Sequence, residues 1–240
     1  MTKIRSGSTG GFTLIEMAVA LFIITLLLGG ILVPLASRVE QKQISDTEKT
    51  LNEIKEALIG YAVAYGNLPC PDTSNDGAEN VNTGTGRCSV IGSSNIVYGN
   101  LPWQTLGVTN ASDVWGNRFR YAVRDEYARR STSSTFTLST TNANVRVCET
   151  ASTCGSSLTS SAVAVVLSHG KNGYGATNSS GATNAVSAST DEQENTDNDR
   201  DFVSRIMTDQ DASAGEFDDI VTWLPLYVLF NRMVAAGKLP

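Results

Sequence analysis

Gly11-Phe12-Thr13-Leu14-Ile15-Glu16 opens an apolar run that extends to Ala36 and contains a single charged residue, Glu16. A carboxylate in a membrane-spanning segment costs roughly 2.5–3.5 kcal/mol at the bilayer centre, so an acid in this position needs a cationic partner. Cleavage between Gly11 and Phe12 would supply that partner, because it creates an α-amino group close to Glu16. The stretch therefore predicts a functional carboxylate beside a processing site.

The apolar run is long enough for a membrane-spanning helix. Residues 12–36 would form about 37 Å of α-helix at about 1.5 Å per residue, and the hydrocarbon core of a bilayer is about 30 Å thick. A secretory signal peptide fits less well, because its apolar region has about 7–15 residues and is followed by an Ala-x-Ala-type cleavage site. We therefore expect a membrane anchor over residues 12–36.

The same residues carry a resemblance to a known family. Gly11 to Glu16, preceded by a short basic leader and followed by the apolar run, closely resembles the N-terminus of type IV prepilins and type II secretion pseudopilins. The resemblance implies that a prepilin peptidase removes residues 1–11 and N-methylates Phe12. It also implies that Glu16 pairs with the Phe12 amine of a neighbouring subunit in a helical filament. The alternative is an ordinary signal anchor with an accidental acid.

Residues 37–66 predict an amphipathic continuation of the helix. Mostly apolar side chains recur there with a spacing of three and four, which places them on one stripe that can pack on a sheet. A coiled-coil seam is the alternative, but the stripe spans only about three heptads. Pro69 follows the predicted helix and favours its end. The stripe consists of Ile44, Thr47, Leu51, Ile54, Leu58, Tyr61 and Tyr65.

The remainder, residues 67–240, predicts a globular head of short strands and long loops. A long helix packed on a small antiparallel sheet gives an α+β fold, and pilin subunits are similar in organisation. Residues 173–217 contain few large apolar side chains and predict a variable surface loop. Alternating or continuous apolar patterns predict strands at 118–123, 135–138, 145–147 and 162–167, and a helix at 225–236.

The charge of the chain bears on its partners. The net charge is −6 over 240 residues, and removal of the leader with Lys3 and Arg5 lowers it to −8. Such an acidic balance argues against nucleic acid as a partner. The five arginines from Arg118 to Arg130 are interpreted as the solvated face of a strand and its turn.

A second resemblance concerns the head. Asp113-Val114-Trp115-Gly116, with Tyr121 after it, is similar to the Asp-x-Trp-Gly-x-x-x-x-Tyr motif that begins a strand in major pseudopilins. In those proteins, a later Ser-x-Gly-x-Asp-Gly segment and an Asp-Asp-Ile pair hold a calcium ion. The matching segments here are 168–173, with Asn172 in place of an acid, and 218–220. The resemblance implies a calcium site that involves Leu167, Ser168, Asp218 and Asp219.

Another calcium pattern stands apart from the resemblance. Asp72, Ser74 and Asp76 occupy positions 1, 3 and 5 of a loop with Gly77 at position 6, as a calcium loop requires. The twelfth position is Thr83 instead of a bidentate glutamate, and flanking helices are not evident. A plain turn of Asp, Asn and Gly residues is the alternative.

Four cysteines follow the predicted anchor and fit an oxidising compartment. They show neither Cys-x-x-Cys nor metal-site spacing, and they allow three disulfide pairings. We favour Cys70–Cys88 and Cys148–Cys154, because each pair closes a short loop and would stabilise the head by roughly 2–3 kcal/mol.

The sequence shows no catalytic constellation. His169 is the only histidine, and no Gly-x-Ser-x-Gly elbow accompanies it. Gly170-Lys171 lacks the upstream glycine and the Ser or Thr of a phosphate-binding loop. We therefore expect no enzymatic activity, and the resemblance implies an assembly subunit.

The resemblance implies a pseudopilin or minor pilin of a type II secretion pseudopilus or a type IV pilus. Its implied partners are other pilin subunits, the prepilin peptidase/methyltransferase, the membrane and an inner-membrane assembly platform. The implied location is the inner membrane, crossed once with the head in the periplasm, and then the pilus or pseudopilus. The alternative is a membrane-anchored periplasmic enzyme or binding module with a coincidental N-terminal motif.

Overall fold

The computed structural model describes residues 11–89, 95–129, 136–154 and 156–239. The side chains of residues 28–36 and of Thr153 lie outside this description. The predicted leader is therefore described only at Gly11, and the later part of the predicted anchor is described only by its helical backbone.

The described residues form an α+β structure, as the sequence predicts. Its helices are α1 (Leu14–Tyr65), α2 (Trp103–Leu106), α3 (Asp125–Ala128), α4 (Thr190–Glu194) and α5 (Leu226–Ala235). Its strands are β1 (Ile96–Asn100), β2 (Arg120–Arg124), β3 (Val145–Cys148), β4 (Ser157–Ser168), β5 (Asp201–Val203) and β6 (Ile220–Pro225).

The strands form one mixed sheet organised around β4. This strand pairs antiparallel with β2, β3 and β6, and β1 extends the sheet beyond β2. β5 pairs parallel with β3, with Phe202 opposite Val147. The prediction of a purely antiparallel sheet is therefore wrong at this pair. A parallel neighbour requires a long crossover connection, and β4 with residues 169–200 supplies it.

The chain divides into two compact units, Met1–Gln43 and Ile44–Pro240. In the second unit, Leu51 and Leu58 of α1 belong to the same buried cluster as Val123 and Val163 of the sheet. The predicted stripe on the helix is therefore a packing face.

The opposite face of the sheet has a core of its own. Val145, Val165, Leu167 and Phe202 are buried together on that side. β4 is thus covered on both faces, which explains why residues 162–167 are continuously apolar instead of alternating.

In the first unit, the described side chains of α1 and of the residues before it are exposed, except that of Gln43, which is partly buried. Their exposed fractions include 82% for Phe12, 89% for Leu14 and 60% for Leu27. Among the described residues, no helix combines the length and the hydropathy that crossing a membrane requires.

The predicted strand at 135–138 is not found in the described residues 136–138. Thr140 donates its backbone N–H to the Thr137 carbonyl at 2.9 Å, which closes a turn. Phe136 is buried, with its ring centroid 5.1 Å from that of Tyr127 and 6.2 Å from that of Phe230. The apparent alternation thus reflects one aromatic anchor in a turn. Thr135 lies outside the described residues.

The segment 173–217 is also more structured than a surface loop. It contains α4 and β5, and it buries Phe202 and Phe217. Arg205 Nε lies 2.6 Å from Asp191 Oδ2, and the guanidinium carbon lies 4.6 Å from the centroid of the Phe217 ring. Polar pairs supply much of the interior of this segment, so its low apolar content does not reveal its structure.

Two disulfides join the four cysteines. Cys70 is bonded to Cys88 with a Cα–Cα distance of 5.3 Å, and Cys148 is bonded to Cys154 with a Cα–Cα distance of 5.1 Å. These are the pairs that loop length favours in the sequence. The first closes the loop after α1, and the second ties the end of β3 to the turn before β4.

Candidate functional site

The N-terminal motif forms a capping box at the start of α1. Both the backbone N–H and the hydroxyl of Thr13 donate to Glu16 Oε2 at 2.8 Å, and the Glu16 N–H donates to Thr13 Oγ1 at 3.3 Å. Reciprocal bonds of this kind satisfy backbone donors that a helix N-terminus leaves free. Thr13 was not predicted as a site residue, although Thr-x-x-Glu before an apolar run is the pattern of a capping box.

Gly11 stands in open space. A Cβ added at this position would meet no other atom of the described residues within 4 Å, leaving aside its chain neighbours. The structure of the chain itself therefore does not require glycine here. A requirement for glycine would have to come from the predicted processing after it.

A second candidate site lies where β4 ends and β6 begins. Their antiparallel register sets Ser168 opposite Ile220, so the turn after β4 lies beside Asp218 and Asp219. Gly170 in this turn has φ +60°, and a Cβ there would overlap Asp218. Glycine is therefore needed for both the backbone conformation and the close approach.

Three carboxylates meet at this turn. One oxygen each from Glu192, Asp218 and Asp219 lies within 4.8 Å of the other two. Ligand oxygens on opposite sides of a calcium ion are about 4.6–5.2 Å apart, since each calcium–oxygen bond is about 2.3–2.6 Å long. The spacing of the three carboxylates therefore fits one ligand shell. Glu192, which comes from α4, was not predicted as a site residue.

Each carboxylate has one oxygen fixed by an N–H donor. Asn172 N–H donates to Asp218 Oδ2 at 2.8 Å, and Asn195 Nδ2 donates to Asp219 Oδ2 at 2.7 Å. Glu192 Oε1 accepts from Asn172 Nδ2 at 3.0 Å and from Asp218 N–H at 3.1 Å. Within the described residues, the buried atoms Glu192 Oε2 and Asp218 Oδ1 accept no hydrogen bond. Hydrogen bonds thus fix the orientation of the carboxylates but leave two of their oxygens without a donor among the described residues.

The surroundings of Asp218 raise the pKa of its carboxyl group. Burial raises the pKa of Asp218 to about 7, and the negative charges of Asp219, Glu192 and Glu216 add to the increase. The hydrogen bond from the Asn172 N–H opposes it only in part. Because these effects disfavour the ionised carboxylate, a cation bound nearby would relieve them.

The Ser168 hydroxyl is hydrogen-bonded to Asp113 and not to the three carboxylates. Its hydroxyl donates to Asp113 Oδ2 at 2.6 Å, and Asp113 Oδ1 accepts the N–H groups of Trp115 at 3.0 Å and Asn117 at 2.9 Å. The Asp113 motif is therefore a turn fastened to the end of β4. The Ser168 hydroxyl is used in this turn, and the backbone oxygens of Leu167 and Ser168 remain a prediction as calcium ligands.

Asp72 does not offer its carboxylate oxygens to a cation. Asp72 is fully buried, and its carboxylate accepts the backbone N–H groups of Ser74 at 2.9 Å, Asn75 at 2.8 Å and Gly77 at 2.7 Å. Converging N–H donors bind an anion and repel a cation. The structure therefore favours the plain turn, and it gives Asp72, Ser74 and Asp76 no support as calcium ligands.

Another acidic group already contains a cation. Oxygens of Glu194, Asp199 and Asp201 lie within 4.8 Å of one another, but Arg146 Nε donates to Asp201 Oδ1 at 2.6 Å. Burial raises the pKa of Glu194 to about 7, followed by repulsion from its acidic neighbours, of which Asp197 is the first. With an arginine in place, this group needs a metal ion less than the group around Glu192.

We expect the metal-free protein to lose stability as the pH rises from about 5 to about 8. The pKa values of Asp218 and Glu194 are raised to about 7 from 3.8 and 4.5, so the folded state binds more protons than the unfolded state between these limits. Stability is therefore highest below the unfolded pKa and falls as the pH passes the folded pKa. Urea midpoints of the full chain in detergent and chelator measure the slope. Asp218→Asn should reduce it, and a midpoint that rises with pH would contradict the prediction.

Two of the arginines between 118 and 130 pair with acids instead of forming a solvated face. Arg124 is buried, and its guanidinium donates to Glu126 and Asn144 at 3.2 Å each. Arg129 Nε lies 2.7 Å from the fully buried Asp125. The interpretation as surface charges is therefore wrong for Arg124 and Arg129. Arg130 lies outside the described residues.

Comparison with known proteins bears on the N-terminal motif. A family model described as a prokaryotic N-terminal methylation motif matches residues 8–32, which include Gly11, Phe12, Thr13 and Glu16. No curated protein and no solved structure matches the chain. Residues 8–32 therefore carry a prokaryotic N-terminal methylation motif, and this motif supports a type IV prepilin-like protein.

Proposed function

We propose that this protein is a structural subunit, a pseudopilin or minor pilin, of a type II secretion pseudopilus or a type IV pilus. The observation that carries the proposal is the methylation motif at residues 8–32, with its Gly11-Phe12 junction and the isolated Glu16. After cleavage, Glu16 pairs with the Phe12 amine of a neighbouring subunit. The pairing draws each new subunit into the filament.

The exposed apolar side chains of the first unit support this assignment. From Phe12 to Leu27 the described part of the segment exposes most of its large apolar side chains, and water is an unfavourable environment for such a surface. A membrane covers it before assembly, and the helices of neighbouring subunits cover it afterwards. The proposed location is therefore the inner membrane, with residues 12–36 as the anchor, followed by the filament.

The two disulfides support a periplasmic head. Disulfides persist in oxidising compartments such as the bacterial periplasm. All four cysteines are paired, and all four belong to the second unit. The proposed partners are other pilin subunits, the prepilin peptidase and an inner-membrane assembly platform, and nucleic acid is not among them.

Calcium is the second part of the proposal. Asp218 and Asp219 hold the ion at the junction of the turn after β4 with β6, with backbone oxygens of Leu167 and Ser168 as further ligands. The support is an all-oxygen donor set in which the buried Asp218 Oδ1 lacks a hydrogen bond among the described residues. Calcium binds such hard oxygen ligands with flexible geometry. The ion would stabilise the head and would take no part in chemistry.

The mature protein is expected to begin at N-methylated Phe12. Intact mass of the protein from its native membrane decides this directly. Gly11→Val should block the cut, because the peptidase needs close backbone approach at this position, and the open space around Gly11 leaves the fold unaffected. Thr9→Val is the matched control, and it should be processed normally. A full-length chain, or a cut at another bond, would refute the proposed function.

A further inference from the structure

The segment 173–217 contributes one carboxylate to the candidate metal centre. Glu192 lies in α4, whereas Asp218 and Asp219 lie just before β6. The backbone N–H of Asp218 donates to Glu192 Oε1 across a separation of 26 residues. The site thus joins two parts of the head that are distant in the sequence.

We propose that Glu192 is a metal ligand, and that a calcium ion shared by Glu192, Asp218 and Asp219 fastens the segment 173–217 to the head. The proposal rests on the calcium site of the proposed function and adds a ligand and a structural role to it. Binding of the ion and ordering of the segment are then one equilibrium.

The burial of Glu192 is the first support. Its side chain is 1% exposed, and its Oε2 has no hydrogen-bond partner among the described residues. Glutamate is almost never fully buried unless it is paired, because removing an ionised carboxylate from water is expensive. The two donors on Oε1 fix the orientation of the carboxylate, so Oε2 cannot turn towards solvent without breaking them. A cation at this place would complete the pairing.

Asp218 gives a second indication. Its buried Oδ1 also accepts no hydrogen bond within the described structure. Buried polar atoms without partners are uncommon in native proteins. Two acceptor oxygens, Glu192 Oε2 and Asp218 Oδ1, thus lack partners in the same group of carboxylates, which is the pattern expected around a missing cation.

The two faces of α4 differ in how their charges are neutralised. Asp191, next to Glu192, accepts from the Ala151 N–H at 2.9 Å and pairs with Arg205 at 2.6 Å. Glu192, by contrast, keeps its buried Oε2 without a hydrogen bond among the described residues. An arginine thus neutralises Asp191 on one side of α4, and on the other side Glu192 retains an oxygen that can bind an ion.

Calcium titration of the mature full chain in detergent, after removal of metal with chelator, tests the proposal. Calorimetry gives the affinity, and hydrogen exchange of residues 190–196 gives the ordering of the segment. We expect calcium to slow exchange there at least tenfold, and Glu192→Gln to weaken binding at least tenfold and abolish the protection. Glutamine retains the oxygen that accepts from Asn172 and Asp218, so the variant should fold.

Glu194→Gln is the matched control. It removes a carboxylate from the same helix but from the group that Arg146 already neutralises, and it should bind calcium with unchanged affinity. Equal affinity of the wild type and Glu192→Gln overturns the role of Glu192 but leaves calcium bound. Loss of calcium binding in Glu194→Gln but not in Glu192→Gln would instead place the ion at the group of Glu194, Asp199 and Asp201.

The wild-type protein provides a test that needs no variant. Calcium binding without slower exchange in residues 190–196 would refute the fastening of the segment. No calcium binding at all would remove both the proposed ion and this inference, whereas processing at Phe12 would be unaffected. The failures of the two proposals are therefore distinguishable.

Discussion

Replacing Glu16 with leucine is expected to abolish incorporation of the subunit into filaments while leaving the chain folded and inserted in the membrane. Glu16 is the only charged residue from Gly11 to Ala36. In the single chain, its carboxylate is bound by the N–H and hydroxyl of Thr13. In a filament, pairing with the Phe12 amine offsets the free-energy cost of removing the two charged groups from water. Leucine removes the anion and leaves the amine of the neighbour unpaired.

The amount of variant in sheared filaments, relative to the amount in the membrane, measures this effect. Glu16→Gln separates the charge from the helix cap, because the amide oxygen can still accept from Thr13 but carries no charge. We expect Glu16→Gln to fail as well. Glu48→Gln, on an exposed face of the same helix, should assemble normally. Incorporation of Glu16→Leu at the wild-type level would refute the pairing. Normal assembly of Glu16→Gln would show that Glu16 acts only as a helix cap.

Features encoded by neighbouring residues could be predicted from the sequence. The isolated carboxylate at Glu16 contrasts with its apolar surroundings, and the spacing of Leu51, Ile54 and Leu58 marks the packing face of α1. The apolar run of β4 is continuous because both faces of that strand are buried. In each case, the physical cause acts within a few residues or has a fixed period, so the sequence carries it directly.

The metal centre could be predicted only in part, because its third carboxylate comes from elsewhere in the chain. Asp218 and Asp219 are adjacent and match a family pattern, whereas Glu192 meets them only after α4 has folded. The structure of α4 depends on Asp191 and Arg205, and such a polar pair has no periodic signature in the sequence. The same reason explains why the segment 173–217 was predicted to be a loop.

The arginines of β2 illustrate a related difficulty. Arg124 alternates with apolar neighbours as a solvated strand residue would, yet it is buried against Glu126 and Asn144. Alternation reports which side of a strand a residue occupies. It does not report whether that side is covered, and here a second core covers it.

Arg205→Ala is expected to destabilise the head by roughly 3–5 kcal/mol, the usual cost of removing one partner from a buried ion pair. The side chains of Arg205 and Asp191 are only 11% and 9% exposed. The change would leave the Asp191 carboxylate buried with the Ala151 N–H as its remaining donor in the described structure. It would also remove the hydrogen bond from Arg205 Nη1 to Thr208 Oγ1 at 2.7 Å and the contact with the Phe217 ring.

Thermal unfolding of the full chain in detergent and chelator measures this loss. A midpoint decrease of roughly 6–20 °C is expected, at about 2–4 °C per kcal/mol for a protein of this size. Arg200→Ala is the control, because the Arg200 side chain is 42% exposed and lies 3.8 Å from Asp201, so its removal should cost less than about 1 kcal/mol. Since Arg205 holds α4 through Asp191, its loss should also weaken calcium binding at Glu192. Equal midpoints for the two variants would show that the Arg205–Asp191 pair does not stabilise the segment 173–217. A lower midpoint for Arg205→Ala with unchanged calcium affinity would show that α4 keeps its position without Arg205.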